Sequence, residues 1–313
     1  MALGALISAY QEDEAGGLRA LLPLAGRTLV EYQVRCAIAA GAAPVIVLVE
    51  RVPQALQDAF ERLRGEGAAV FPASDVHEAI SRFEAGSPIL VLGDGIAPPA
   101  ALVAQIADEE EATVATLPDD EAHAQFERID NQSRWAGIMA IDSDLLRSTA
   151  QMLGDWDLQS TLLRRAVQEG ALRVPVSAES EPVLADRADQ LAIFQRGLLA
   201  GSKADRDDAV ARFVLPLAED FSTERLMDSQ IRADWLLWSA AVLTLMAAGM
   251  FLYGWLWGGL ALLLLLMPLD LIAARLAAIR LRPLPARHLA RRALWPLAGL
   301  ALLALGWAEW RIS

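Results

Sequence analysis

The sequence predicts an α/β domain built on a mostly parallel sheet, followed by an apolar helical tail. Three observations carry that prediction. Short apolar runs alternate with helical patterns as far as about Val176. Runs that are apolar at successive positions are strands covered on both faces, as helices on the two sides of a parallel sheet provide. The chain is also 55% hydrophobic while carrying a net charge of −13. That pairing resolves when the sequence is divided near Asp234, with an acidic, mixed region upstream and an apolar, arginine-bearing region downstream. Finally, seven of the nine tryptophans lie downstream, many near the ends of apolar runs, which is the pattern of a membrane-interface belt.

GALISA (Gly4–Ala9) reads as a buried first strand and PVIVLV (Pro44–Val49) as the second. Between them lie a polar turn (Gln11, Glu12, Asp13, Glu14, Gly16, Gly17) and a helix that Thr28 caps and Gly41 ends. Pro53–Arg64 is a helix with proline in its first turn, AAVFP (Ala68–Pro72) a strand, and Ser74–Ala85 a helix. PILVLGDG (Pro88–Gly95) is the most buried-looking strand and ends in Asp94. Pro98–Asp108 reads as a helix, with ATVATL (Ala112–Leu117) and RWAGIMAID (Arg134–Asp142) as strands. The stretches 142–153 and 158–169 are helical, with Gly170 as the stop. LRVPV (Leu172–Val176) closes the sheet and Ala188–Leu199 is a further helix.

The domain division expected is 1–200 for the α/β domain, 201–233 for a charged linker or juxtamembrane helix, and 234–313 for two to three membrane helices. Trp235–Tyr253 runs without a charge and at about 1.5 Å per residue covers roughly 28 Å, close to the hydrocarbon core of a bilayer. Gly254 allows a tight turn, Trp255–Leu269 returns, and Ala293–Trp307 is a third, short segment. Arg275, Arg280, Arg282, Arg287, Arg291 and Arg292 lie between the second and third segments, which puts that loop in the cytoplasm. Two spans then place the amino-terminal domain there too, at a bacterial inner membrane. The acidity of the domain argues against a nucleic-acid partner. The single cysteine, Cys36, sits in the first helix and reads as a buried, inert thiol.

LLPLAGRTLVE (Leu21–Glu31) with Asp94 in LVLGDG resembles the signature of the sugar-nucleotide and cytidylyltransferase superfamily. The resemblance implies a three-layer, Rossmann-like nucleotidyltransferase fold, a nucleoside triphosphate of the CTP type as substrate, and Mg²⁺ as cofactor. It assigns Asp94 as the first metal carboxylate. Asp186, in LADRADQLAIFQRGLL (Leu184–Leu199), stands in the place of the second. Arg19 falls where the family has a phosphate-binding lysine, and Gly16 and Gly17 where it has the glycine-rich phosphate loop. The loop departs from the family in being acidic: Glu12, Asp13 and Glu14 stand where N–H donors and positive charge are needed. One like-charge contact at ~4 Å costs about 4 kcal/mol at an effective dielectric near 20.

A nucleotidyltransferase domain followed by a charged linker and membrane helices also resembles enzymes that join a cytidylyltransferase to a CDP-alcohol phosphotransferase. In the tail, LDLIAAR (Leu269–Arg275) keeps Asp270 and Arg275, but Asp270 is the sole aspartate after Asp234. The four carboxylates of a two-metal membrane site are therefore absent from this sequence, and the tail reads as an anchor or as a surface for a membrane-protein partner. Two functions follow for the head. It transfers a nucleotidyl group to a phosphorylated polyol or sugar, or it is an inactive pseudo-enzyme acting as a tethered scaffold.

Overall fold

The computed structural model describes residues 2–152, 157–204, 233–255 and 257–262, with Leu281 and Gly299. The expected linker beyond 204, Asp270, the arginine-rich loop and the third apolar segment lie outside the described residues. The chain divides into two compact units, Met1–Arg196 and Gly197–Ser313.

The first unit opens with β1 (Gly4–Ser8), a short antiparallel pair β2 (Pro23–Leu24) and β3 (Arg27–Thr28), α1 (Leu29–Ala39), β4 (Val45–Leu48), α2 (Gln54–Gly65), β5 (Val70–Ala73) and α3 (Val76–Ser81). It continues with β6 (Pro88–Leu92), β7 (Ile96–Ala97), α4 (Ala100–Ala107), β8 (Thr113–Pro118), β9 (Ser133–Asp142), α5 (Ser143–Met152), α6 (Leu158–Gln168), β10 (Leu172–Pro175) and β11 (Val183–Leu184). α7 (Ala188–Ala204) begins here. The described strands form a seven-stranded sheet in the order β10-β8-β9-β6-β1-β4-β5. Pairing is parallel except where β9 runs antiparallel to β6 and β8. Every residue of β1 and β4 is buried, which is why neither strand alternates in polarity.

Several local expectations hold for identifiable reasons. At the start of α1 the Glu31 carboxylate accepts the Thr28 N–H at 3.0 Å, supplying a partner for a donor the helix leaves unpaired. Gly41 and Gly170 take left-handed backbone at φ 89°, so the residue after each can donate back into its helix, as Ala42 does to Ala37 O at 2.9 Å. The helix expected over 74–85 is shorter, Val76–Ser81, because Asp75 caps it by accepting the Glu78 N–H. Cys36 is buried, and burial pushes its thiol up to about 12, which keeps it protonated and inert.

Chain order around the sheet positions the site. From β1 the chain moves outward through α1, β4, α2 and β5, then crosses back through α3 to lay β6 on the other side of β1. Right-handed crossovers put helices made in opposite directions on opposite faces. Accordingly α1 packs against α2, while α3 packs against α5 and α5 against α6. The strand order reverses between β1 and β6, and a crevice opens at their carboxyl ends.

In the second unit α8 (Ala233–Leu252) covers most of the first apolar run. It ends at Gly254 (φ 79°), where the Trp255 N–H donates to Met250 O at 2.9 Å, so the expected tight turn is present. Residues 257–262 are helical again. Among the described residues no helix is long and apolar enough to cross a membrane. Val242, Leu245, Met246, Leu252, Trp255 and Trp257 are exposed.

Candidate active site

Asp94 leaves the end of β6 at the point where the strand order reverses. It is 4% exposed, and its Oδ2 accepts the backbone N–H groups of Tyr10 and Gln11, each at 2.7 Å. Those donors leave β1, 84 and 83 residues away in sequence, so the site is a product of parallel pairing between β1 and β6. Gly93 and Gly95 let backbone approach the carboxylate. A Cβ on Gly95, which has φ 70°, would meet Ala185 O and Arg19 Cδ, each at 3.0 Å. From beneath, the buried Gln33 of α1 donates its Nε2 to Gly93 O (3.0 Å) and Ile96 O (2.7 Å), fixing both sides of the turn.

Burial pushes the Asp94 carboxyl up to about 6, against the opposing pull of the Gln11 and Tyr10 N–H groups and the Arg19 charge. Its Oδ1 is buried and has no aligned hydrogen bond among the described residues, although the Gly95 N–H lies close to the carboxylate.

Asp186 reaches the same place through β11, which pairs antiparallel with β7 (Leu184 opposite Ile96). The Ala185 N–H donates to Gly95 O at 2.8 Å. Asp186 Oδ1 meets a terminal nitrogen of Arg19 at 2.5 Å. The contact is ionic, since Oδ1 has no aligned hydrogen bond among the described residues. Arg19 also donates to Gln11 Oε1 at 2.6 Å and to Glu12 O at 3.2 Å. Arg19, Asp94 and Asp186, which one family resemblance singles out in the sequence, therefore converge on one crevice. The structure pairs Asp186 with Arg19 and Asp94 with main-chain donors.

Gly16 and Gly17 line a different cavity of about 390 Å³, together with Glu12, Leu18, Leu21, Arg51, Val52 and Pro53. The acidic side chains of the loop do not point at Asp94. Glu12 pairs with Arg51 at 3.3 Å and Glu14 lies 3.7 Å from Arg187. Asp13 folds back on its own loop, and its Oδ1 accepts the N–H groups of Ala15 (2.9 Å) and Gly17 (2.8 Å). Of the two glycines expected to cradle phosphate, Gly17 thus donates to an internal carboxylate and Gly16 to the Asp13 main-chain oxygen at 3.1 Å.

Sequence reasoning missed the other half of the crevice. Gln125, Phe126, Glu127, Trp135 and Gln159 join Gln11, Arg19 and Asp94 around a cavity of about 150 Å³. Gln159 arrives on the first turn of α6, which Asp157 caps by accepting the Ser160 N–H at 2.8 Å. Tyr10 fixes that turn by donating its hydroxyl to Asp157 Oδ1 at 2.8 Å. Burial, with the Asp157 charge nearby, pushes the Glu127 carboxyl up. Gly137 in β9 was the one local signal. A Cβ there would lie 2.4 Å from Ile96 Cγ1, which is why the AGIMA strand keeps glycine.

Among the described residues no group of three or more His, Cys, Asp or Glu side chains could hold a metal. Magnesium needs less from a protein: one or two carboxylates suffice, with water and substrate phosphates completing its shell. Asp94, whose Oδ1 is left over, could supply one such carboxylate, whereas Asp186 is held by Arg19.

No family model matches the chain, and no curated protein matches it. Similar solved structures include a protein from Bacillus anthracis described as a glucose-1-phosphate thymidylyltransferase, in complex with a sucrose. It is 13% identical with a TM-score of 0.49, over 62% of this chain and 94% of that one. A nucleotidyl transferase from Methanothermobacter thermautotroptrophicus is 22% identical with a TM-score of 0.45, over 64% and 99%. At these scores neither likeness decides the role of a residue.

Proposed function

We propose that the Met1–Arg196 unit is a nucleotidyltransferase domain acting on a nucleoside triphosphate, CTP first among them, and on a phosphorylated sugar or polyol. In that reaction a phosphate oxygen of the acceptor bonds to the α-phosphorus of the triphosphate. The bond from that phosphorus to the bridging oxygen breaks, and pyrophosphate leaves with the electron pair. Magnesium on Asp94 and Asp186 would neutralise phosphate charge, while Arg19 and main-chain N–H groups orient the phosphates. The observation that carries this reading is the convergence of Asp94, Arg19 and Asp186 at the carboxyl edge between β1 and β6.

Pyrophosphate release from each of the four ribonucleoside triphosphates, with Mg²⁺ and a series of sugar and polyol phosphates, tests it on the full chain. Release that Asp94→Asn abolishes is expected, and release unchanged in that variant would overturn the assignment of Asp94.

A second reading is supported by the Asp13 contacts. A domain whose loop donors are held by Asp13 and whose cation is held by Asp186 is a pseudo-enzyme unless a triphosphate displaces both. That domain would present a surface to a partner at the membrane. Absence of a saturable thermal shift with any triphosphate and Mg²⁺ is its signature.

Attachment of the chain to a bacterial inner membrane, with the first unit on the cytoplasmic side and a membrane-protein partner for the tail, belongs to the same proposal. The uncharged run Trp235–Tyr253 and the exposed Trp255 and Trp257 support it. Release of the full chain from membranes by alkaline carbonate would count against it.

A further inference from the structure

We infer that Gln159 is a specificity residue, binding a hydroxyl of the polyhydroxylated part of the acceptor within the cavity it shares with Asp94, Glu127 and Trp135. The inference rests on the transferase reading for the word acceptor, but what the cavity demands of a ligand does not depend on it. Gln159 is 7% exposed, and among the described residues its Nε2 is a buried donor with no hydrogen-bond partner. Asp94, whose Oδ1 has no aligned hydrogen bond among the described residues and has the Gly95 N–H close by, lines the same cavity. Buried polar groups are nearly always paired, and a folded chain retains an unpaired donor beside a cavity at a stability cost. Tyr10 and Asp157 hold the Gln159 turn in place, so the cost is built in rather than accidental.

The lining states what would meet those groups. Carboxylates from Asp94 and Glu127 accept O–H donors, amides from Gln125 and Gln159 both donate and accept, and Trp135 offers an aromatic wall. An anion set between two carboxylates would be repelled, and Arg19, the cation lining this cavity, is already engaged by Asp186. A neutral group with several hydroxyls suits Glu127, Gln125 and Gln159 and leaves Asp94 Oδ1 to the metal. The cavity of about 150 Å³ holds about five waters' worth of liquid volume. That is room for the hydroxylated carbons of one small sugar or polyol.

Isothermal titration of the full chain in detergent with a panel of hexose and cyclitol monophosphates tests this, with CTP and inorganic phosphate titrated in parallel. For at least one member of the panel, Gln159→Leu is expected to weaken binding about tenfold, the scale of one lost hydrogen bond to a buried partner. CTP and inorganic phosphate affinities stay unchanged, and Tm is unchanged or raised because an unpaired donor has gone. Gln159→Met, closer in shape, serves if the leucine variant fails to fold. Equal affinities in wild type and both variants, or a fall in Tm with parallel loss of CTP and sugar-phosphate binding, would overturn the role of Gln159. A chain that binds CTP but no member of the panel also overturns it, leaving the transferase reading standing. Gln159-dependent binding without pyrophosphate release would instead sink the transferase reading and leave this inference intact.

Discussion

Asp13 accepts the Gly17 N–H at 2.8 Å, so the first loop carries its own anion where a phosphate would sit. A carboxylate held by two main-chain donors must be displaced before those donors can serve a ligand. Asp13→Ala is therefore expected to tighten triphosphate binding severalfold in equilibrium titrations, since it removes both the competitor and a like charge. Unchanged or weaker binding would show that the Gly16–Gly17 cavity is not where the triphosphate goes.

Arg19 and Asp186 make an opposing pair of predictions. Freed from Asp186, Arg19 has an open guanidinium for an anion. In Asp186→Asn, metal-free pyrophosphate should bind about tenfold tighter, while Mg²⁺-dependent turnover falls because a ligand has been lost. Arg19→Ala should weaken pyrophosphate binding in both backgrounds. An Asp186→Asn protein that neither gains affinity nor loses turnover would show the pair to be structural.

The pH dependence of stability should carry the mark of Asp94. Its folded carboxyl titrates at about 6, above the unfolded value near ~3.9. The folded state therefore binds the proton more tightly, and stability falls as pH rises from about 4 through about 6, by something of the order of 2 to 3 kcal/mol. Asp94→Asn removes the penalty, so its Tm should exceed that of the wild type at pH 7 and approach it near pH 4. If the carboxylate acts on metal or phosphate, activity falls as the pH drops below about 6. A Tm difference independent of pH would contradict this account.

Glu31 is fully buried among arginines. Arg62 donates to its Oε1 at 3.0 Å and its Oε2 at 2.9 Å, and Arg35 pairs with Glu66 at 3.0 Å. Burial alone would raise the Glu31 carboxyl, but Arg62 and the Thr28 N–H hold it below its ordinary value. Its contribution is thus present above the usual glutamate range and lost as pH falls through it. Glu31→Ala takes the carboxylate from a partly exposed Arg62 and leaves Arg35 with Glu66, and should cost about 2 to 3 kcal/mol in chemical denaturation. A loss below about 1 kcal/mol would mean that water reaches the cluster.

Gly137→Ala tests the packing of the crevice wall. Gly137 has φ 81°, and a methyl added there would lie 2.4 Å from Ile96 Cγ1, so the variant must shift β9 or the Gly93–Ile96 turn. We expect a loss of more than about 2 kcal/mol in chemical denaturation, with sugar-phosphate binding weakened alongside.

Much of the first unit was legible in the chain because its signals are local. A fully apolar β1 or β4, the Thr28–Glu31 pairing at the start of α1, and left-handed glycines at 41 and 170 all act within a few residues. Asp94 was legible for the same reason, as an aspartate at the end of a buried strand between two glycines. The acidic loop was legible in composition and misleading in effect. Its charges argued for repulsion at the crevice, whereas folding turns Glu12 and Glu14 to Arg51 and Arg187 and bends Asp13 onto its own backbone.

By itself the sequence determined an α/β unit with a carboxylate at the carboxyl edge of its sheet and an apolar, tryptophan-bearing tail, because periodicity and turn chemistry operate over a handful of residues. Tertiary structure alone decided which donors hold Asp94, that Arg19 is bonded to Asp186, and that Gln159 and Glu127 complete the crevice. Those contacts join residues far apart in the chain through parallel pairing and crossover order, which leave no local trace. The direction a charged side chain takes depends on partners that only folding brings near.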